Sequence, residues 1–366
     1  MREIVQEILL HYPAVVIAIS FSIGLFFMPF VLKMAIRKQM VVRPNRRTSH
    51  HGNVPNVGGI NIFSSFLITL LLASPSLSVN SLILAGMYFI FVVGFIDDLL
   101  DFSPRKKLLG ELIAAFILIV LADIRLTNLH GLLGIYEISE QYIIISYVIS
   151  AFLFLLIINS LNLIDGVDGL ATGIGMVICS FFGIYFQLTG CIELAIMAYS
   201  FIGALALFFI YNVFGGRSKI FMGDSGSLVL GFVVYILVVK FCELNIITNQ
   251  TLPYYICAAP AVAVCVLSVP LIDTLRVMIT RIKHGHSPFK ADKNHVHHLL
   301  LSLGFSHRQV TLILVLVNIS FIGLAFIGRC WSNFVLGGIA VLLSIIYTVI
   351  VWRILNRRQA KNNLKV

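Results

Sequence analysis

Charge is what this sequence has least of. Only 11% of its 366 residues are Asp, Glu, Lys or Arg, where a soluble globular domain carries about 25%. Hydrophobic residues make up 59% and the mean hydropathy is +0.99. A soluble protein of this length could not keep so many apolar side chains off a surface that still needs polar cover. A soluble enzyme, a disordered chain, a coiled coil and a nucleic-acid module are thereby excluded. Cysteine is also sparse: Cys179, Cys191, Cys242, Cys257, Cys265 and Cys330 are isolated and mostly lie in apolar stretches. With no CxxC spacing, neither a disulfide framework nor a thiolate metal site is indicated. The apolar runs do not alternate over ten-residue segments, which excludes a transmembrane β-barrel. No repeat or low-complexity tract interrupts them.

What is present is a series of long apolar runs. A membrane helix needs roughly 20 mostly apolar residues. Eleven runs qualify, near 13–34, 58–78, 80–96, 108–122, 142–160, 169–188, 192–212, 225–241, 253–278, 309–328 and 331–352, with ten as the alternative count. The expected fold is an all-α polytopic membrane protein, a single integral-membrane domain over 1–366. The first run is long and has no small-residue cleavage site, so it is read as a retained span rather than a signal peptide.

The few charges are sorted. Of the 26 Lys and Arg, 22 fall in 33–57, 97–107, 213–224, 276–308 and the tail, all on one side of an eleven-span chain. The positive-inside rule makes that side cytoplasmic, with loops near 35–57, 97–107, 160–168, 213–224 and 279–308 and a basic tail at 353–366. Eight of nine Asp lie on or beside these loops, whereas six of seven Glu lie on the other side, Glu111 being the exception. Aspartate is short and stiff and suits fixed metal or phosphate geometry, so a cytoplasmic carboxylate site is expected.

Five segments carry the chemistry. Asp97-Asp98-Leu99-Leu100-Asp101 ends the third run; if the helix continues, Asp97 and Asp101 share a face. Carboxylates so close repel unless a cation or proton joins them; a solvated helix end beside Arg105, Lys106 and Lys107 is the plainer alternative. In Asn159-x-x-Asn162-x-x-Asp165-Gly-Val-Asp168 polar residues recur every three positions. Hard oxygen donors of this kind, with room for water and phosphate, suit Mg²⁺; a polar helix cap requires fewer of them. Lys219-Ile-Phe221-Met-Gly-Asp224-Ser-Gly-Ser227 offers a cation, an acid and an aromatic able to stack on a planar base, or simple interfacial packing. The fourth segment, from Arg281 through His284, His286, Lys290 and Asp292 to His295-x-His297-His298, lacks HExxH spacing and thiols. Anion binding by its imidazoles and cations is the first reading, with a structural metal or a solvated basic loop as alternatives. The fifth, Arg43-Pro44-x-Arg46-Arg47-x-Ser49-His50 to Gly58-Gly59, is by itself a juxtamembrane basic stretch facing anionic lipid.

In this order, over about residues 37–310, these segments resemble the polyprenyl-phosphate N-acetylhexosamine-1-phosphate transferase superfamily, and the His295-x-His297-His298 form is similar to its WecA-like bacterial members. The matching elements are DDxxD at Asp97–Asp101, NxxDGxDGL at Asn162–Leu170 and FMGDSGS at Phe221–Ser227. The resemblance implies transfer of a N-acetylhexosamine 1-phosphate, foremost GlcNAc 1-phosphate, from a UDP-sugar to polyprenyl phosphate, with release of UMP, in a bacterial cytoplasmic membrane. It implies Mg²⁺, with Mn²⁺ as a substitute, on Asp224 with Asn162 or Asp165. Catalytic parts fall to Asp97, Asp98, Asp165 and Asp224. Substrate contacts fall to Asp101, Lys106, Asp168, Lys219, Phe221, His50, Arg281, His295, His297 and His298, with Phe221 and Asp168 on the uracil. Partners are then the two substrates and the bilayer, not nucleic acid, and a homodimer is left open. Val42 and the approach Phe214-Gly-Gly-Arg217-Ser-Lys219 depart from the family pattern, and both touch sugar specificity. A nucleotide-sugar or anion transporter is the rival class, but transporters place ionisable residues near mid-membrane and often carry internal repeats.

Overall fold

The computed structural model describes residues 12–38, 40–42, 54–74, 81–132, 134–246, 254–285 and 294–363. They form helices α1 (Pro13–Arg37), α2 (Gly58–Ala73), α3 (Ser81–Leu100), α4 (Pro104–Ala115), α5 (Ile143–Leu163), α6 (Leu170–Leu188), α7 (Ile192–Phe214) and α8 (Gly223–Leu244). There follow α9 (Ala259–Val266), α10 (Ser268–Lys283), α11 (Val296–Ser302), α12 (His307–Gly328) and α13 (Asn333–Asn363). Strands β1 (Val41–Val42) and β2 (Val54–Pro55) pair antiparallel, as do β3 (Asn128–Leu132) and β4 (Ile135–Glu137). The protein is an all-α polytopic membrane protein.

Among the described residues eight helices are long and apolar enough to cross a membrane, and nine if the bent pair α9–α10 is one span. The expected count of eleven is higher for two reasons. The second run is a helix of only 16 residues, α2. The fourth is α4, 12 residues long, continued by a π-helical segment at Phe116–Leu121.

The expected continuous span at 253–278 is instead two helices meeting at 88°. Pro270 explains the break, because it has no N–H for the carbonyl of Val266 and its ring crowds that carbonyl. Asn318 on α12 meets the freed backbone. Its Nδ2 donates to Val266 O at 3.1 Å and its Oδ1 accepts from Ser268 Oγ at 3.2 Å and from Val269 N at 3.4 Å. Backbone polar groups within a membrane need such an internal partner.

Helix α8 is the hub. It is apolar on every face and buried from Ser225 almost without interruption to Cys242, packed by α2, α3, α5 and α6. Such all-round hydrophobicity marks a helix enclosed by others. Lipid tails are as apolar as the side chains, so close packing through small residues is what joins such helices. Gly94 on α3 lies so near the start of α8 that a Cβ would sit 2.6 Å from Asp224 O, and a Cβ on Gly59 of α2 would collide with Gly226 and Ser225. These contacts draw the ends of α2, α3 and α8 together where the polar motifs lie.

Candidate active site

The site gathers at one end of the bundle, where α3, α5 and α7 finish and α2, α4, α6 and α8 begin. Segment 55–59 lies along the turn before α8: Phe221 N donates to Pro55 O, and Gly58 N and Gly59 N donate to Phe221 O and Met222 O, each at 2.9 Å. Gly223 takes a left-handed φ of +72°, and a Cβ there would also strike the Asp98 carboxylate at 2.6 Å. Glycine alone permits both.

Asp98 is saturated. Its Oδ1 accepts from Asn56 Nδ2 at 2.9 Å and Asp224 N at 2.7 Å, and its Oδ2 accepts from Ser225 N at 3.0 Å and Ser225 Oγ at 2.7 Å. It serves α8 as an N-terminal cap from another helix. The carboxylate expected to be catalytic thus spends four hydrogen bonds on Asn56 and the start of α8. Asp97 is buried; Oδ1 accepts from Phe102 N at 2.7 Å and Oδ2 lies 3.3 Å from Lys107 Nζ. Asp101 does not join them: α3 stops at Leu100, and Asp101 turns left-handed (φ +53°) and is exposed. The shared face expected of Asp97 and Asp101 fails because the helix does not continue.

Asp224 is the meeting point. Its Oδ1 takes Lys107 Nζ and Asn162 Nδ2, both at 2.5 Å, and Asn162 also donates to Ser227 Oγ at 2.7 Å. Lys106, the lysine expected here, is exposed and lies over the Phe102 ring at 6.0 Å; its neighbour Lys107 reaches the carboxylates instead. Asp165, on the turn after α5, is half-buried and takes no hydrogen bond or ion pair from any described residue. It alone among the acids gathered here keeps both oxygens open.

A hard divalent cation fits this donor set. Asp224 and Asp165 supply carboxylate oxygens of the kind Mg²⁺ takes, and Asn162, whose Nδ2 faces Asp224 and Ser227, would add its amide oxygen on turning over. Among the described residues no three His, Cys, Asp or Glu side chains are arranged to hold an ion alone.

A second cluster adjoins it. Asp168 Oδ2 binds Lys219 Nζ at 2.7 Å and lies 3.3 Å from His307 Nδ1. Burial alone would raise the Asp168 carboxyl, but the hydrogen bonds from His307 and Lys219 outweigh it and hold the group below the usual carboxylate range. Its Oδ1 has no partner among the described residues. Lys219 sits 5.4 Å from the centre of the half-buried Phe221 ring. Gly169 (φ +76°) donates to Asn212 Oδ1 at 2.6 Å, and Asn212 Nδ2 donates to Ile220 O at 2.8 Å, tying the two motif turns together.

The histidine segment is folded inward. His295 Nδ1 donates to Asp273 Oδ2 at 3.0 Å, and Asp273 also accepts from Val296 N and from Arg276 Nη2 at 2.7 Å. His295 and His297 are each 2% exposed, and their Nε2 atoms are buried without a partner among the described residues. Burial, with His298 and His295 beside it, pushes His297 down to about 3, so it is neutral. Arg281 is buried and His298 half-buried. Burial disfavours the charged form of His297, so only the N–H of its neutral ring is left to meet an anion. His50 lies outside the described residues, as do His286, Lys290 and Asp292.

Asn56, Lys107, Glu111 and His307 take part without having been expected as site residues, whereas Asn159 belongs to the polar stripe read as a donor set. Of the four, Glu111 carried a signal, as the only glutamate on the aspartate-rich side.

Comparison with known proteins gives a family to this helical membrane bundle with carboxylates, an amide and a lysine gathered at one end. Residues 80–242 match the model of glycosyl transferase family 4. The chain is 30% identical over 311 residues to the undecaprenyl-phosphate α-N-acetylglucosaminyl 1-phosphate transferase of Yersinia pestis, covering 84% of this chain and 81% of that protein. The enzymes of the same name from Escherichia coli (strain K12) and Haemophilus influenzae are each 30% identical, over 86% of this chain and 84% and 88% of theirs. The chain belongs to glycosyl transferase family 4, the polyprenyl-phosphate N-acetylhexosamine-1-phosphate transferases that its motifs resemble.

Proposed function

We propose that the protein transfers N-acetylglucosamine 1-phosphate from UDP-N-acetylglucosamine to undecaprenyl or a related polyprenyl phosphate, releasing UMP and starting a lipid-linked surface glycan. The reading rests above all on the convergence of Lys107 and Asn162 on one oxygen of Asp224, beside the open carboxylate of Asp165. Relatives named for this reaction over most of the chain support the sugar and the acceptor. The basic residues concentrated at the site-bearing end support a cytoplasmic site, where nucleotide sugars are available.

Uracil stacks on Phe221 and gives its imide N–H to the free Oδ1 of Asp168, which Lys219 and His307 hold ionised and in place. The diphosphate then lies toward Asp224, Asn162 and Lys107. Asp224 and Asn162 would hold Mg²⁺, or Mn²⁺ in its stead, which when bound would supply charge neutralisation to the diphosphate. Lys107 adds a positive charge beside the same place. The acceptor phosphate attacks the sugar-bearing phosphorus; it needs alignment and charge relief more than a strong base, and Asp165 is the open carboxylate that would join Asp224 in holding the cation. Asp97 and Asp98 hold Lys107 and the start of α8.

The experiment is to incubate purified protein in nanodiscs with undecaprenyl phosphate, Mg²⁺ and a panel of UDP-GlcNAc, UDP-GalNAc and 6-deoxy UDP-HexNAc, and to measure UMP and the lipid product. UMP release with UDP-GlcNAc that needs both lipid and Mg²⁺ is expected. No UMP from any donor would sink the reading, and release only with another donor would reassign the sugar.

A further inference from the structure

One buried acid stands outside these roles. Glu111 is 1% exposed and lies one helical turn after Lys107 on α4. Its Oε2 accepts from Asn159 Nδ2 at 2.7 Å, whereas Oε1 is buried and takes no hydrogen bond. A bare carboxylate oxygen in the interior is costly and calls for a partner. Asn159 lies three residues before Asn162 on α5, so Glu111 is fixed one turn from the amide that holds Asp224.

Lys107 has the opposite difficulty. Its Nζ lies 2.5 Å from Asp224 Oδ1 and 3.3 Å from Asp97 Oδ2, and Asn162 donates to that same Oδ1. A divalent cation taken up by Asp224 and Asn162 would meet an ammonium already seated on its ligand oxygen. Like charges at that separation repel strongly, so the lysine has to withdraw. Its four-carbon stem is flexible, and residues at i and i+4 are neighbours on a helix surface. The carboxylate with an unfilled oxygen on that face is Glu111.

We propose that Glu111 is a positioning residue that receives Lys107. With Asp224 free of metal, the ammonium bridges Asp224 and Asp97 and relieves their repulsion. When a cation-bound diphosphate occupies Asp224, the ammonium moves toward Glu111 Oε1, staying beside the site as a second positive charge. This inference rests on the proposed cation site at Asp224 and Asn162.

Mn²⁺ binding to the full-length protein, read by electron paramagnetic resonance of the free ion without substrate, tests it. Glu111→Gln keeps the size and the acceptor for Asn159 but removes the charge awaiting Lys107. It should weaken Mn²⁺ binding roughly tenfold, the scale of one opposite-charge interaction at a partly buried site. Lys107→Met removes the competing ammonium and should tighten Mn²⁺ binding. In the double variant the loss from Glu111→Gln should shrink to about twofold or less, since its partner is gone. Unchanged Mn²⁺ affinity in Glu111→Gln, or the same loss persisting without Lys107, overturns the proposal. Should Glu111→Gln not fold, Lys107→Met decides alone: tighter binding supports the handover and weaker binding overturns it. A wild-type protein that binds no Mn²⁺ would remove the cation site itself; normal binding without coupling removes only the handover.

Discussion

Two parts of this molecule use an aspartate in the same way and end up with opposite chemistry. Asp98 on α3 accepts the N–H groups of Asp224 and Ser225 at the start of α8, and Asp273 on α10 accepts that of Val296 at the start of α11. In both, a negative charge from a neighbouring helix meets the positive end of a helix dipole. Around Asp98 the structure leaves capacity unspent: Asp165 is open, and Asp224 is 28% exposed at its side chain. Around Asp273 the groups are turned inward, and His297 lines a small cavity of about 40 Å³ with Tyr347 of α13. An acidic or histidine-rich motif is thus no measure of reactivity; what separates the regions is which valences remain open toward a substrate.

The largest effect expected is at the meeting point. Asp224→Asn should lower UMP release about a hundred- to thousandfold, as loss of a group aimed at developing charge does, with an unchanged melting temperature. Retained activity would show that the open end of the bundle is not the reactive one. Asp98→Ala should behave differently, because four hydrogen bonds to one charged group disappear together. A loss of stability of about 3 kcal/mol is expected, visible as a lower melting temperature, with activity falling alongside it. If Asp98→Ala silences the enzyme without destabilising it, Asp98 belongs with the reacting groups after all.

Asp168 sharpens the contrast through pH. A carboxyl whose folded-state pKa is depressed contributes fully above its unfolded value, near about pH 4, and loses that contribution as the pH falls through the lower folded value. The KM for UDP-sugar should therefore show no Asp168 inflection between about pH 5 and 8. Asp168→Asn should raise that KM roughly tenfold, one lost charge-assisted hydrogen bond. An inflection in that range that disappears in the variant would contradict the depressed carboxyl. Asp273→Ala should cost about 2–3 kcal/mol, close to Asp98→Ala, because hydrogen bonds from Val296, Arg276 and His295 are lost together. Thermal unfolding of both variants side by side tells whether the two caps are equivalent.

Much of this was legible in the sequence. The helical runs stood out from length and apolarity, and DDxxD, NxxDGxD and FMGD stood out because polar residues are rare in an apolar chain. Their convergence was not legible, since it depends on glycine contacts between helices distant in sequence, such as Gly94 against the start of α8. Nor was the break at Leu267, where the signal was Pro270 but the outcome needed Asn318 to receive the freed backbone. The histidines looked like phosphate donors from composition alone; their burial follows from where α10 and α11 pack.

The smallest effect expected turns on a choice that sequence could not make. Lys106 and Lys107 are adjacent, and on a helix adjacent side chains point about 100° apart. Only one of them can face α8. Lys107 does, between Asp97 and Asp224, while Lys106 is exposed over Phe102. An exposed lysine contributes little to either stability or a buried charge centre. Lys106→Met should therefore leave UMP release within about twofold of the wild type, and Lys107→Met should lower it far more. Equal losses in the two variants would mean that the helix presents both lysines to substrate as it binds, and the division between a spent and an open side of this end would fall.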